Sequence, residues 1–196
     1  MNAIARLPHP LAPLQAWGPF DVVVADPPWM HYGAPGKWGA AGKHYGLMED
    51  AEIRALPVAD LLVKPAVLFL WATSSTMQRA IATLAAWGLH YRGVEFVWVK
   101  TSASGLPVGA QGVRPSIVKP TTEFVLSGST ERRGRPLPLA DEGVGQVVFA
   151  PRGAHSEKPE EVQDRIERLY PRANRAELFA RRHRRGWACW GDEAPL

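Results

Sequence analysis

The stretch that decides the fold is Asp21-Val22-Val23-Val24-Ala25-Asp26-Pro27-Pro28-Trp29, close to the start of the chain. Apart from Asp21, its first five residues are apolar, and a short valine-rich run of this kind predicts a buried β-strand. Pro27 and Pro28 then end the strand, because proline has no N–H group with which to continue a ladder. In open α/β sheets, ligands bind at the carboxyl ends of the strands. The stretch therefore predicts an α/β domain with a functional turn at residues 26–29.

This turn carries chemical groups that suit methylation of an exocyclic amine. The amine lone pair of adenine is delocalised into the ring, so the nitrogen is a poor nucleophile. A carboxylate and a carbonyl that accept its two N–H bonds would draw it toward a tetrahedral, more reactive geometry. We expect Asp26 and the carbonyl of Pro27 to do this, with Pro28 stiffening the turn and the ring of Trp29 holding the base.

Asp26-Pro27-Pro28-Trp29 resembles the catalytic motif of the amino-methyltransferases that act on adenine, and the whole chain resembles one branch of them, the MT-A70 family. Five further segments match that family in its order: Leu68–Thr73, Trp98–Thr101, His155–Pro159, Glu177–Arg181 and Trp190–Glu193. The resemblance implies an N6-adenine methyltransferase that uses S-adenosyl-L-methionine. It also implies a circularly permuted, Rossmann-like class I fold with three α/β/α layers and a mainly parallel sheet.

The order of predicted elements along the chain is consistent with one α/β domain. Strands are predicted at 21–25, 66–71, 90–99, 121–126, 147–150, 175–180 and 187–190, and helices at 49–56, 75–87 and 159–170. Ser75 and Gln78 resemble a capping box that opens the second helix, and Gly88 stops it. Residues 1–19 are rich in proline and alanine and are predicted to be a loose N-terminal arm, with the domain at 20–196.

Bulk composition narrows the class of protein. The chain has 196 residues, 46% of them hydrophobic and 21% charged, which suits a single soluble domain. Its single cysteine, Cys189, excludes a disulfide framework and a thiol metal site. No apolar run is long enough to span a membrane, and no signal pattern opens the chain. We expect a cytoplasmic catalytic domain without a metal, acting as a monomer or homodimer.

Basic residues and irregular segments indicate how nucleic acid would bind. The net charge is +4, and two arginine clusters carry much of the excess: Arg132, Arg133 and Arg135, and Arg181, Arg182, Arg184 and Arg185. Such clusters attract phosphates, although a solvated surface is the alternative.

Long irregular segments are often functional. Segments 101–120 and 128–146 are predicted to flank the site, and glycine-rich 30–47 to cover it. The predicted substrate-binding residues are Tyr45, Lys100, Arg114, Arg132 and Arg133.

The cofactor is not expected beside the first strand, because no glycine-rich loop follows it. The resemblance implies a cofactor strand near the C-terminus, where Glu177–Arg181 fits. It implies that Lys158 holds the methionine carboxylate and that Asp26 lies near the methionine amine. It further implies that the ribose and adenine are surrounded by Arg181, His183, Asp192 and Glu193. A lysine just ahead of a helix opposes the helix dipole by up to about 1 kcal/mol, which suits a site for a bound carboxylate.

Two positions depart from the family pattern. Position 192 is aspartate where the family usually has an amide, and position 184 is arginine where eukaryotic members commonly have a small polar residue. The aspartate should still accept ribose hydroxyls, whereas the contact made by Arg184 is left open.

Other functions are open at this point. A nucleic-acid-binding homologue without catalysis would be expected to have lost Asp26 or Lys158, and both are present. A methyltransferase on cytosine N4 or on a small molecule is a further alternative, although the sister cytosine enzymes tend to carry serine at the first motif position. DNA is favoured over RNA, because small stand-alone chains of this family resemble bacterial and phage DNA modifiers.

Overall fold

The computed structural model describes residues 10–30, 47–109, 117–153, 157–191 and 194. Its helices are α1 Ala12–Gln15, α2 Asp50–Ala55, α3 Met77–Ala86 and α4 Glu160–Leu169. Its strands are β1 Phe20–Ala25, β2 Leu62–Ala72, β3 His90–Thr101, β4 Thr122–Ser129, β5 Val147–Pro151, β6 Arg175–Leu178 and β7 Trp187–Trp190. The predicted site residues Tyr45, Arg114, Asp192 and Glu193 lie outside the described residues.

The strands form one sheet in the order β5-β3-β4-β2-β1-β6-β7. Strand β4 is antiparallel to both of its neighbours, and the other strand pairs in the described residues are parallel. The sheet is therefore mainly parallel, as predicted. All strands except β4 have their carboxyl ends at the same end of the sheet, which we call the carboxyl end. The opposite end is the amino end.

Helices cover both faces of the sheet, which gives the predicted three α/β/α layers. On one face the core contains Leu14 of α1, Ile53 of α2 and Leu84 of α3, packed with alternate residues of β2. On the other face Val162 and Ile166 of α4 pack against the remaining side chains of the sheet. None of the helices among the described residues combines the length and apolar character that crossing a membrane requires.

The central position of β1 explains its uninterrupted apolar sequence. It lies between β2 and β6, with Ala25 paired to Leu70 on one side and to Leu178 on the other. Both faces of β1 are covered, and its residues 22–25 are at most 1% exposed. Strands buried on both faces carry continuous rather than alternating apolar residues. The chain places β6 late in the sequence but next to β1 in space, which is the circularly permuted order.

The described part of the predicted N-terminal arm is not loose. Residues 10–19 include α1, and both Leu11 and Leu14 are fully buried in the core. Burial of these two apolar side chains is favourable, so the described part of the segment packs onto the domain although it is rich in proline and alanine.

The helix predicted to begin near residue 75 starts in a different way. The capping box is formed by Thr73 and Thr76 around a short 3₁₀ turn, Ser74–Thr76, and α3 follows from Met77. The predicted stop is confirmed, since Gly88 follows the C-cap residue Trp87 and has φ +76, a value that favours glycine.

Candidate active site

The turn that follows β1 is held by backbone hydrogen bonds. The N–H of Asp26 donates to the carbonyl of Leu178, 3.4 Å away, which ties the start of the turn to β6. Within the turn, the N–H of Trp29 donates to the Pro27 carbonyl at 2.8 Å. The Pro28 carbonyl accepts from Met48 at 3.1 Å. The turn is thus fixed at the carboxyl end of the sheet, where the sequence placed it.

Trp29 does not occupy the position predicted for it. Its side chain is only 6% exposed and belongs to the core, and its Nε1 donates to the carbonyl of Trp71 at 3.2 Å. A ring enclosed in this way has no free face on which a base could stack. The prediction that Trp29 holds the base is therefore wrong for this structure. The indole anchors the turn, because burying its apolar surface is favourable and its N–H finds a partner.

Four charged side chains form a row beside the turn. The Nζ of Lys158 lies 2.7 Å from Oδ2 of Asp26 and 3.5 Å from Oε2 of Glu123. The other carboxylate oxygen of Glu123 lies 2.5 Å from the Nζ of Lys100. The row comes from the end of β1, the segment before α4, β4 and β3, so only the folded chain assembles it. We call these four residues the charged row.

Burial and neighbouring charges set the protonation of the row. Burial raises the pKa of Asp26 above its ordinary value, against the opposing effect of Lys158. Burial also acts to raise the pKa of Glu123, but the charges of Lys158 and Lys100 outweigh it and the pKa falls below its ordinary value. Glu123 therefore stays ionised and shares Lys158 with Asp26.

Two tryptophans support the lysines of the row. The Nζ of Lys158 lies 5.4 Å from the centroid of the Trp71 ring, and that of Lys100 lies 5.1 Å from the Trp98 ring. The two rings meet edge to face at 6.2 Å, and both are buried. Both contacts are close enough for attraction between a cation and an aromatic face. The two aromatic rings therefore contact the lysine ammonium groups on one side, and the carboxylates of the charged row contact them on another.

A cavity of about 250 Å³ opens next to the charged row. It is lined by Asp26, Trp71, Glu157, Lys158, Pro159, Gln163, Glu177, Phe179, Arg181 and Arg182. Within it, Gln163 of α4 donates its amide N–H to Oε2 of Glu177 at 2.7 Å. Burial, together with the nearby charge of Asp26, raises the pKa of Glu177 to about 7. The cavity therefore holds two carboxyl groups with raised pKa values and one ammonium group.

The backbone around the cavity has an unusual conformation. Phe179, just after β6, has φ +62, which costs about 1–3 kcal/mol for a residue that is not glycine. Ala180 then donates its N–H to the Trp190 carbonyl at 2.8 Å. A Cβ atom on Gly191 would lie 2.3 Å from the Ala180 carbonyl oxygen, so only glycine fits there. The chain segments after β6 and β7 thus touch backbone to backbone at the carboxyl end of the sheet.

The structure brings some predicted residues together and separates others. Lys158, Arg181 and Asp26 line the cavity. Lys100 joins them through Glu123. His183 is exposed and is not part of the cavity lining.

Arg132 and Arg133 lie at the wrong end of the sheet for the predicted role. They follow β4, whose carboxyl end lies at the amino end of the sheet because β4 runs antiparallel. Thr130, just before them, pairs with Ala66, whereas Asp26 lies level with the other end of β2. Asp26 is level with Trp71, five residues beyond Ala66 along β2, which corresponds to about 17 Å. The expectation that segment 128–146 flanks the mouth of the site is therefore corrected.

The arginine that departs from the family pattern has a local structural role. Arg184 donates to Glu167 at 2.7 Å and to Asp164 at 2.5 Å, and both acids are on α4. Glu167 also accepts from the indole of Trp187 at 2.7 Å. Arg184 therefore ties the segment before β7 to α4.

Several residues of the site were missed in the sequence. Glu123 is the one charged residue of β4, and that pattern could have marked it, whereas Glu177 was noted only as the start of the expected cofactor strand. Gln163 and Trp71 gave no such signal, because an amide on a helix and an aromatic residue in a strand are ordinary.

The donor groups of the cavity fit one end of the expected cofactor. The methionine end of S-adenosyl-L-methionine carries a carboxylate and an amine, so it needs a cation and an anion close together. Lys158 supplies the ammonium group, and Asp26 and Glu177 supply carboxyl groups within the same cavity. The cavity between these groups has a volume of about 250 Å³ and lies at the carboxyl end of the sheet, where ligands bind in open α/β folds.

The chain is similar to known proteins of one family. The MT-A70 family profile matches residues 20–193. A Mycoplasma sp type II methyltransferase, M.MunI, is 32% identical over 195 residues, with 90% of this chain and 78% of that protein covered. An Arabidopsis thaliana N(6)-adenosine-methyltransferase MT-A70-like protein is 34% identical, with 90% of this chain and 24% of that protein covered. The Homo sapiens N(6)-adenosine-methyltransferase catalytic subunit METTL3 is 32% identical, with 90% and 28% covered. The chain thus spans about a quarter of the plant and human relatives. It belongs to the MT-A70 family.

Proposed function

We propose that this chain is an S-adenosyl-L-methionine-dependent methyltransferase that acts on N6 of adenine in nucleic acid, with DNA as its preferred acceptor. The observation that carries the proposal is the pair of Asp26 and Lys158, 2.7 Å apart in a cavity at the carboxyl end of the sheet. The family and the names of the relatives support transfer of a methyl group. The carboxyl, carbonyl and ammonium groups of the site support the same proposal.

The cofactor would lie against β6. When bound, S-adenosyl-L-methionine supplies an electrophilic methyl group on a sulfonium. Lys158 would bind its carboxylate, and Asp26 and Glu177 would face its amine. Glu123 also contacts Lys158, so the lysine keeps an anionic partner even when Asp26 turns to a ligand. Arg181 would face the ribose, and the roles of His183, Asp192 and Glu193 stay predictions from the family resemblance.

The acceptor amine would be oriented by the turn. Asp26 would accept one N–H bond and the Pro27 carbonyl the other, since a carbonyl oxygen has a second lone pair beyond the one used by Trp29. No general base is needed, because the proton can leave after the methyl group is transferred. With Trp29 buried, the base must be held by other groups, and Tyr45 stays the predicted one.

DNA is favoured because the sequence resembles the bacterial and phage DNA modifiers of the family, and because the Mycoplasma relative, a type II methyltransferase, is 32% identical to this chain. A base inside a duplex must be flipped out before it can reach a cavity of this kind. RNA is the second acceptor to test, because the N(6)-adenosine-methyltransferases are 32–34% identical to this chain.

A methyl-transfer assay tests the proposal. The purified protein is incubated with labelled S-adenosyl-L-methionine and, separately, with DNA, RNA and free nucleosides, and the modified base is identified after digestion. N6-methyladenine in DNA is the expected product. Asp26→Asn should lose the activity, whereas Asp21→Asn, the same change at the opposite end of β1, should keep it.

The other outcomes separate the alternatives. Product in RNA alone would contradict the preferred acceptor, and N4-methylcytosine would contradict the base assignment. A folded protein that binds nucleic acid but transfers no methyl group to any of these acceptors would favour the inactive binding homologue.

A further inference from the structure

Arg79, on α3, connects the helical layer to the catalytic turn. Its Nε lies 2.8 and 2.7 Å from the two carboxylate oxygens of Asp50, at the start of α2, and its Nη2 also donates to that carboxylate. Its Nη1 donates to the carbonyl of Met30 at 2.7 Å. Its Cζ lies 5.4 Å from the centroid of the Trp29 ring. One guanidinium thus contacts two consecutive residues at the end of the turn and an acid on a second helix.

These contacts complete the fixation of Trp29. On the side of the sheet, the indole Nε1 is bonded to the Trp71 carbonyl. The backbone of Trp29 also forms an isolated bridge with Met48, as the chain returns toward α2. On the side of the helices, the guanidinium of Arg79 covers the ring. The indole is therefore held between a strand carbonyl and a cation.

The arrangement requires arginine rather than a generic positive charge. The side chains of Arg79 and Asp50 are only 16% and 17% exposed, so removing either leaves a poorly solvated charge. The hydrogen bonds from Arg79 lower the pKa of Asp50, which keeps the acid ionised. The planar guanidinium can bind a carboxylate with two N–H groups and a carbonyl with a third, whereas the ammonium of lysine cannot match this geometry.

A second arginine on the same acid provides a natural control. Arg54 of α2 donates to Asp50 at 3.1 Å, and its side chain is 39% exposed. Among the described residues, its hydrogen bonds and ion pairs do not reach the catalytic turn. Arg54 and Arg79 therefore share a partner and differ in whether they contact Trp29 and Met30.

We propose that Arg79 is a positioning residue for the transfer: it fixes Trp29 and Met30 and thereby sets where Asp26 and the Pro27 carbonyl stand against the acceptor amine. The inference rests on the function proposed above. A misplacement of about 1 Å at a reacting centre costs about a hundredfold in rate. Of the turn residues 26–29, Asp26 alone lines the cofactor cavity, and Lys158, which would bind the cofactor's carboxylate, lies outside the turn. Loss of Arg79 should therefore lower kcat far more than it weakens cofactor binding.

The test compares Arg79→Met with Arg54→Met and wild type in two readouts. Hydrogen exchange, followed by mass spectrometry on peptides covering residues 24–30, reports on the turn without any need for activity. Steady-state kinetics and calorimetry with S-adenosylhomocysteine report on the reaction and on cofactor affinity. Arg79→Met should exchange faster in the turn and lose about tenfold or more in kcat. Its affinity for S-adenosylhomocysteine should stay within about threefold, and Arg54→Met should resemble wild type in every measurement.

Arg79→Lys keeps the test decisive if Arg79→Met does not fold. Lysine retains a charge for Asp50 but cannot also bind Met30, so this variant should fold, with turn exchange and kcat between those of wild type and Arg79→Met. A folded Arg79→Met, or failing that Arg79→Lys, with wild-type turn exchange and wild-type kcat would overturn the inference, as would equal losses in Arg79→Met and Arg54→Met. If wild-type protein transfers no methyl group to any acceptor, the proposed function fails, and the exchange data alone decide whether Arg79 holds the turn.

Discussion

The Nζ of Lys158 lies 2.7 Å from Oδ2 of Asp26, although the two residues are 132 positions apart in the sequence. The contact joins the end of β1 to the segment that leads into α4, and it closes one side of the cavity. Neither residue is fully buried, with side chains 19% and 21% exposed, so a ligand from solvent can reach both. The two residues therefore allow two separate tests of the proposed function. A variant of Asp26 tests the role of the acceptor amine, and a variant of Lys158 tests cofactor binding.

Asp26→Ala should abolish methyl transfer and leave the fold intact. The turn is held by its prolines, by backbone bonds and by the buried Trp29, and none of these depends on the carboxylate. We expect kcat to fall by at least about a hundredfold, as for other groups that act on the reacting atoms. Single-turnover kinetics and thermal unfolding, measured on the same preparation, check both parts. Turnover above a few per cent of wild type would contradict the role of Asp26.

Lys158→Ala should weaken cofactor binding by roughly 1.5–3 kcal/mol, the loss expected for a hydrogen bond to a charged group. The measurement is calorimetry with S-adenosylhomocysteine, which has the same methionine end. Lys64→Ala is the matched control, because Lys64 is exposed on β2 at the amino end of the sheet. Equal affinities for the two variants would place Lys158 outside the binding site.

The raised pKa of Glu177 predicts a pH-dependent stability. The native state holds a proton on this group up to about pH 7, whereas the unfolded chain releases it near the ordinary value of 4.5. Between these values the native state binds more protons, so stability falls as pH rises from about 4.5 to 7. Glu177→Gln should remove this fall, which is on the order of 3 kcal/mol. Urea unfolding at several pH values measures it.

Gln163→Leu provides the control of opposite sign. The amide of Gln163 stabilises the ionised form of Glu177, so its loss should raise the pKa of Glu177 further and extend the fall in stability to higher pH. Identical pH profiles for wild type and Glu177→Gln would show that Glu177 does not titrate in this range.

The arginines near residue 132 should contribute little to binding of a short acceptor. Arg132, Arg133 and Arg135 follow β4 at the amino end of the sheet, away from Asp26. Replacing all three with alanine should leave the salt dependence of binding to a short duplex unchanged. A log–log slope reduced by about 0.9 per lost phosphate contact would show instead that the duplex reaches around to this end.

Single-stranded or mismatched DNA should be methylated faster than a perfect duplex of the same sequence. Flipping a base out of a duplex costs a few kcal/mol, and a base that is already unpaired avoids most of that cost. The comparison uses oligonucleotides of one sequence under conditions of limiting enzyme. A strong preference for the duplex would mean that contacts to the duplex offset the flipping cost in full.

The features of this protein that could be predicted from its sequence are those that depend on local chain properties. The valine run and the two prolines predict β1 and its turn, because burial and the missing N–H groups act within a few residues. The helix predicted at 159–170 and the stop at Gly88 likewise depend on nearby residues, and the structure confirms both, the helix as α4 Glu160–Leu169. The family resemblance supplied the circularly permuted order, which no local property would indicate.

Contacts between residues that are distant in the sequence became visible in the folded chain. Glu123 joins Lys100 and Lys158 because β4 lies between β2 and β3 in the sheet, and strand order cannot be read from any one strand. The antiparallel direction of β4 carries the arginines near residue 132 to the amino end. The sequence allows Trp29 to face either the base or the core. In the structure it lies in the core, where its indole N–H donates to the carbonyl of Trp71 and its ring contacts the guanidinium of Arg79. In each case the reason is the same: the contact partner is supplied by a distant segment, so the pairing exists only after the sheet and its helices are packed.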